Sequence, residues 1–318
     1  MEKENKRGEL TSQQIVTIVI LIVSFVIILA FIVSLNLKAE VNKESCRNSV
    51  ILRGSALGKS TSLQCKTQEV CISGGEECNN LGKDAVTIKA ETKEELFNEL
   101  SDLLYDCWYQ MGEGKIDYAP TGFGFEENYC AICNTIKFDE KIKGNEELRT
   151  IKAEEFYRYL QAKKIPNEDK SYLNYLYGVN SLDAVRESIL QKTTEAGTPL
   201  DIYNENIDFG YDKGYAIITG IIKQGRGITL ISTGVGIAAG ITIAVMATPA
   251  AGIASAKLVQ SGFVLLGTSA SAKTGGILGG LIGLVLSSGD EGFTPPNIYP
   301  FDGETVEKLD CKQFTSLA

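Results

Sequence analysis

Hydrophobic and polar positions are spread unevenly along the chain. From Ile15 to Leu35 it reads IVTIVILIVSFVIILAFIVSL, without a charge. A helix rises ~1.5 Å per residue, so this run is about 30 Å long, the thickness of a bilayer's hydrocarbon core. The pattern predicts a transmembrane signal anchor. A second apolar stretch, Gly227–Ser288, is rich in glycine and alanine, and its only charged residues are Lys257 and Lys273. In it Ser232, Gly236 and Gly240 recur every fourth residue, as do Gly275, Gly279 and Gly283, and again Gly276 and Gly280. Small residues at i and i+4 line one helix face and let two helix backbones approach closely in lipid. This predicts a helical hairpin: a span near Gly227–Ala247, a turn at Thr248-Pro249 and a return within Leu258–Leu286.

Between these regions the periods are those of a mixed domain. Ser49–Leu52 and Glu69–Ile72 are short apolar runs that predict strands, with glycine and serine between them. Thr92–Met111 predicts a helix: Thr92 and Glu95 form a capping box. Leu96, Leu100, Leu103, Leu104, Cys107, Trp108 and Met111 fall on one stripe, and Gly112 and Gly114 end it. Tyr129 and Thr135–Phe138 predict a strand through Cys130 and Cys133. Ala153–Ala162, Ser171–Tyr177 and Ser181–Lys192 predict short helices, several rich in tyrosine, and Tyr215–Ile222 predicts a closing strand.

Composition removes many chemistries. The chain has no histidine, which excludes a Ser-His-Asp triad, a Cys-His pair and any histidine-ligated metal. A net charge of −9 argues against a nucleic-acid footprint. Gly54–Thr61 looks like a phosphate loop but has one residue too few between its glycines, and reads as a turn.

The eight cysteines, Cys46, Cys65, Cys71, Cys78, Cys107, Cys130, Cys133 and Cys311, all follow the first apolar run. An even number beyond an anchor predicts four disulfides in an oxidising space. Cys71 and Cys78 flank a glycine-bearing loop that either closes on itself or sends two cysteines to distant partners. Cys107 lies on the apolar stripe and should bond to a packed strand. Cys130-Ala131-Ile132-Cys133 is a CxxC with two readings. At a helix N-terminus it would exchange thiols; on a strand its cysteines point to opposite faces and bridge different partners. The flanks favour the strand.

Asp106-Cys107-Trp108, Gly112-Glu113-Gly114-Lys115 and Tyr129-Cys130-Ala131-Ile132-Cys133, with a late Cys311 beyond a glycine-rich apolar region, together resemble a group of uncharacterised membrane-anchored archaeal proteins. The resemblance covers most of the chain and implies an architecture and a source. The group has no assigned function, so it implies no activity. Separately, Arg7-Gly8-Glu9-Leu10 before the apolar run resembles the cleavage site of archaeal prepilins.

The expected fold is an α+β ectodomain with an N-terminal transmembrane helix and a C-terminal glycine-rich hydrophobic helical hairpin. Residues 1–36 form a cytoplasmic stub and anchor, 37–225 the disulfide-bonded ectodomain, 226–288 the membrane hairpin, and 289–318 an acidic tail returning to the ectodomain through Cys311. The expected function is a cell-membrane protein, its N-terminus cytoplasmic and its bulk extracytoplasmic. It would present the domain for partner binding or membrane assembly, with the lipid bilayer and another envelope protein or itself as partners, and no nucleic acid. It would not be an enzyme and would use no catalytic residue, metal or cofactor. Three alternatives stand beside it: a pore-forming or membrane-remodelling protein acting through the glycine zipper, a thiol oxidoreductase using Cys130 and Cys133, and a prepilin-like subunit cut after Gly8.

Overall fold

The capping box at Thr92 nucleates the helix around which the larger core is built. In this computed structural model Glu95 N–H donates to Thr92 Oγ1 at 3.2 Å, and Glu95 Oε2 accepts from the Thr92 N–H at 3.1 Å. The helix, α3, runs Lys93–Gln110 and buries Leu96, Leu100, Leu104, Cys107 and Trp108 along its inner stripe. Met111 caps it, and Gly112 (φ +82°) and Gly114 (φ +67°) turn the chain away. A Cβ on Gly114 would lie 2.8 Å from the Trp108 ring, so this close approach also requires glycine.

The structure describes residues 12–34, 37–55, 58–120, 128–177, 180–183, 206–210, 214–223, 235–236, 241–242, 286–288, 291–303 and 311–315. The chain divides into two compact units, Met1–Glu44 and Ser45–Ala318. The first contains α1 (Ser12–Ser34) and the start of α2 (Leu37–Gly54). In chain order the second continues with β1 (Gln68–Ser73), β2 (Val86–Lys89), α3 and β3 (Asn128–Phe138). The short α4 (Glu140–Gly144), α5 (Glu146–Arg149) and β4 (Thr150–Lys152) follow, then α6 (Ala153–Ala162) and α7 (Tyr172–Tyr177). Last come β5 (Asn206–Asp208), β6 (Tyr215–Lys223), β7 (Val235–Gly236), β8 (Ile241–Thr242), β9 (Leu286–Ser288), β10 (Glu291–Pro300) and β11 (Cys311–Thr315).

A seven-stranded mixed sheet organises the second unit, in the order β2-β1-β3-β6-β10-β9, with β11 also on β3. β1 lies parallel to both β2 and β3, β11 is parallel to β3, and β6, β10 and β9 follow antiparallel. β3 is central and carries a bulge: Ile132 pairs with Ile218 and Asn134 with Ile217, so Cys133 is the extra residue. The bulge switches the alternation of faces. Tyr129, Ala131 and Cys133 face the larger core, and so do Ile136 and Phe138 beyond it, while Cys130 and Ile132 join a smaller cluster with Ala216, Ile218 and Tyr299. β10 has its own irregularity between Thr294 and Asn297, where Pro295 and Pro296 fall. Prolines lack the donor a regular ladder needs and are tolerated at such a site.

Three expectations are corrected. The helix α1 forms over Ser12–Ser34. Among the described residues no helix is long and apolar enough to cross a membrane, which overturns the expected transmembrane helix. The expected helical hairpin is contradicted where the structure describes it. Val235–Gly236 and Ile241–Thr242 are antiparallel strands, and Leu286–Ser288 is a strand of the main sheet. β-Branched Val235, Ile241 and Thr242 favour extended backbone, and each interior glycine weakens a helix by about 1 kcal/mol. Gly236 lies in β7. Ser232, Gly240, Gly275, Gly276, Gly279, Gly280 and Gly283 lie outside the described residues, as does most of the expected helix Ser181–Lys192. Lastly, Ser49–Leu52 belongs to α2 and not to a strand. Cys46 and Val50, four apart, bury one face of that helix, and Ser49 Oγ donates to Cys46 O at 2.7 Å.

The acidic tail is more deeply built in than a returning strap. β10 pairs along the whole of β6, and β11 adds to an edge of β3. Residues far apart in the chain thus complete one sheet.

Candidate functional site

The cysteines are the first candidates, and the structure pairs all eight. Cys46 bonds to Cys65, Cys71 to Cys78, Cys107 to Cys133 and Cys130 to Cys311, leaving no free thiol. Cys71 and Cys78 therefore close their own loop, and Cys107 on α3 reaches the β3 strand packed against it. The two cysteines of the CxxC lead to different partners on opposite faces of β3. Three residues along a strand span about 10 Å at ~3.3 Å each, beyond the ~7 Å over which a disulfide closes. In this fold Cys130 and Cys133 cannot bond to each other, as a thiol-exchange CxxC must.

A second candidate is a polar cleft of about 210 Å³, lined by residues that include Glu77, Asn80, Lys137, Asp139, Lys143 and Gly214. It lies beyond the carboxyl end of β3, beside the loop closed by Cys71–Cys78. In sheets with parallel strands this is the end where small ligands collect. Its wall is fixed by Asp139, which is 1% exposed. One carboxylate oxygen caps α4 by accepting from Ile142 N–H at 2.9 Å. The other accepts from Glu76 N–H at 2.8 Å and Ser73 Oγ at 2.9 Å. Burial alone would raise this carboxyl's pKa, but hydrogen bonds from the Ile142, Glu76 and Gly74 backbone and from Ser73 outweigh it and hold it below the usual carboxylate range. Asp139 is thus a structural anion whose donors are fully engaged. Of the lysines, Lys137 donates to Asn80 O at 2.7 Å and Lys143 to Glu140 at 3.0 Å. The cleft offers a mixed-charge lining and, among the described residues, no cluster of three or more metal-ligating groups exists anywhere.

Tyrosines form the third candidate. Tyr105 and Tyr109, one turn apart on α3, stack with ring centroids 6.2 Å apart, and Tyr175 of α7 packs 4.8 Å from Tyr105. Arg47 of α2 lies 3.8 Å over the Tyr109 ring and pairs with Glu113 at 3.4 Å; Tyr175 Oη donates to the same carboxylate at 3.1 Å. Tyr172 Oη donates to Asp102, and Tyr159 Oη to Asn98 at 3.3 Å. Each ring packs and each hydroxyl named here finds an acceptor, the normal way to seat a half-buried tyrosine. Glu113 and Arg47, which join α2, α3 and α7, carried no signal in the sequence beyond the Gly112–Lys115 pattern. The phosphate-loop lookalike is also explained, since Lys59 is tied to the Asp117 carboxylate and to Asp117 O.

The last candidate is the surface of α1. Ile15, Val16, Ile18, Val19, Ile20, Leu21, Ile22, Val23, Phe25, Val26, Ile27 and Ile28 are all exposed. Ser24 Oγ donates back to Ile20 O at 2.8 Å, so this hydroxyl needs no outside partner. Comparison of the chain with family models, with curated proteins and with solved structures gives no match.

Proposed function

We propose that the chain is a cell-envelope binding module and not an enzyme: a disulfide-locked domain held outside the reducing cytoplasm, at a membrane whose lipid takes up the apolar surface of α1. The pairing of all eight cysteines carries this reading, because four such bonds persist in oxidising compartments and are rare in reducing ones. The surface of α1 supports the lipid. A helix that packs on one neighbour has one apolar stripe, whereas residues 15–28 are apolar on every side, with the Ser24 hydroxyl satisfied within the helix. Backbone and side-chain polar groups in lipid must be satisfied in this internal way. A prepilin-like use, with the same surface seated among helices of other copies, is the second reading; it is favoured by the same all-round apolar face and requires cleavage after Gly8.

Flotation with vesicles of zwitterionic phospholipid tests the proposal. The full chain is expected to float, and a variant with Ile20→Lys and Phe25→Lys is expected to stay in the dense fraction with its Trp108 fluorescence unchanged. Equal flotation of both, or sedimentation of both, contradicts the proposal. An intact-mass measurement on protein from its own cells that shows a chain beginning at Glu9 selects the second reading.

A further inference from the structure

The four disulfides differ in what they hold. Three close separations of 19, 7 and 26 residues, and the fourth, Cys130–Cys311, closes 181. The first three tie neighbouring elements that also pack together. The fourth ties β11 to β3, and among the described residues the strand that β11 pairs with is β3. That pairing has four register positions, with an irregularity between Cys311 and Gln313. β6 occupies one edge of β3, so β11, against Asn128–Ala131, and β1, against Asn134–Phe138, lie end to end on the other. Without β11 the edge at Asn128–Ala131 has lost its main-chain partner.

The bonds also differ in reach. Cys46, Cys65, Cys107 and Cys133 are 0%, 3%, 0% and 5% exposed, which closes two bonds to a reductant, whereas Cys311 is half-buried. Cys78 is half-buried as well. Its loop, however, is pinned by the Glu76 N–H bond to Asp139 and by the Gly75 N–H, which donates to Ser73 Oγ at 2.9 Å. Reduced Cys71 and Cys78 would stay together, and their high effective concentration would close the bond again.

We infer that Cys130–Cys311 is a redox latch on the C-terminal strand. A thiolate of a dithiol reductant attacks Sγ of Cys311, forming a mixed disulfide and releasing Cys130 as a thiolate that takes up a proton. The second thiol of the reductant then displaces Cys311. Two electrons and two protons have passed to the cysteine pair, and the reductant leaves as its own disulfide. With the bond open, β11 keeps only the short pairing and the packing of Cys311 on the smaller cluster among the described contacts. Its departure exposes an unpaired edge of the central strand, the kind of edge that accepts another extended segment. The inference does not depend on the proposed function, since it concerns the order in which the bonds open in the isolated protein.

The test is a dithiothreitol titration of the folded full chain, quenched by alkylation and mapped by mass spectrometry, with amide hydrogen exchange on the same samples. Cys130 and Cys311 are expected to be the first pair alkylated. Exchange at Asn128–Ala131 should then rise roughly tenfold or more while α3 stays protected. A Cys130→Ser, Cys311→Ser double variant should show the same local exchange without reductant. If another pair opens first, or if exchange at Asn128–Ala131 is unchanged once Cys130 and Cys311 are reduced, the latch is refuted.

Discussion

Two helices in this chain follow opposite rules. α3 has a polar face, an apolar stripe and a capping box, and it buries Leu96, Leu100, Leu104 and Trp108 within its own domain. α1 has no acidic residue in its first turn and no basic residue in its last, and over residues 15–28 it leaves its large side chains exposed on every side. Exposed apolar surface costs about 25 cal/mol per Å², and a continuous patch of that kind marks a site of interaction. The contrast teaches where each helix finds its partner. That of α3 is written into the same chain, whereas the apolar side chains of α1 over residues 15–28 are exposed.

Substitutions can break this contrast or sharpen it. The largest effect is expected at the centre of α3: Trp108→Ala should destabilise the domain by about 3–5 kcal/mol in urea unfolding, because the side chain is 2% exposed and its cavity cannot fully collapse. Asp139→Ala should cost about 2–3 kcal/mol, since it strands buried donors from Ile142, Glu76 and Ser73.

The pH dependence at Asp139 has a definite sign. Its folded pKa is depressed, so its contribution is present above the unfolded value of about 3.9 and is lost as pH falls through the lower folded value. Urea midpoints measured from pH 5 downwards should therefore fall more steeply in the native chain than in Asp139→Asn. Thr92→Ala should cost about 1 kcal/mol by removing half of the capping box. The smallest effect belongs to α1: Ile22→Ser should leave urea unfolding of the domain within about 0.5 kcal/mol of the native chain. A larger loss there would mean that α1 packs on the domain, and the contrast would collapse.

The sequence made α3 legible because every signal for it is local: cap, stripe and terminal glycines lie within one window, and the structure bounds the helix within a residue. β3, α6 and β6 were legible for the same reason. The rest depends on partners distant in the chain. That the tail supplies β10 and β11 could not be read from Glu291–Thr315, because a strand's neighbour is set by register and not by local pattern. The bulge at Cys133 is equally silent, although the correct faces for Cys130 and Cys133 follow from simple alternation up to that point. Glycine spacing misled at Gly236, which lies in β7. A four-residue repeat of small residues describes a helix face only if the backbone is helical, and Val235, Ile241 and Thr242 favour strand. Ser49–Leu52 misled because four residues are too few to separate a period of two from one of 3.6. Asp139 and Arg47 were missed as well. An aspartate directly after a strand and before a short helix is a cap signal that could have been found, whereas the Arg47 stack on Tyr109 joins elements far apart and left no trace.

The central claim is that all eight cysteines are paired in the cell, in a domain held outside the reducing cytoplasm. The most direct measurement treats intact cells with a membrane-impermeant maleimide, before and after a membrane-impermeant reductant, then maps every cysteine under denaturing conditions. The account predicts no labelling without reduction. After reduction Cys130 and Cys311 should label first, and the remainder should be recovered as disulfides on denaturation. Free thiols labelled only after lysis, in cells never exposed to reductant, would contradict it.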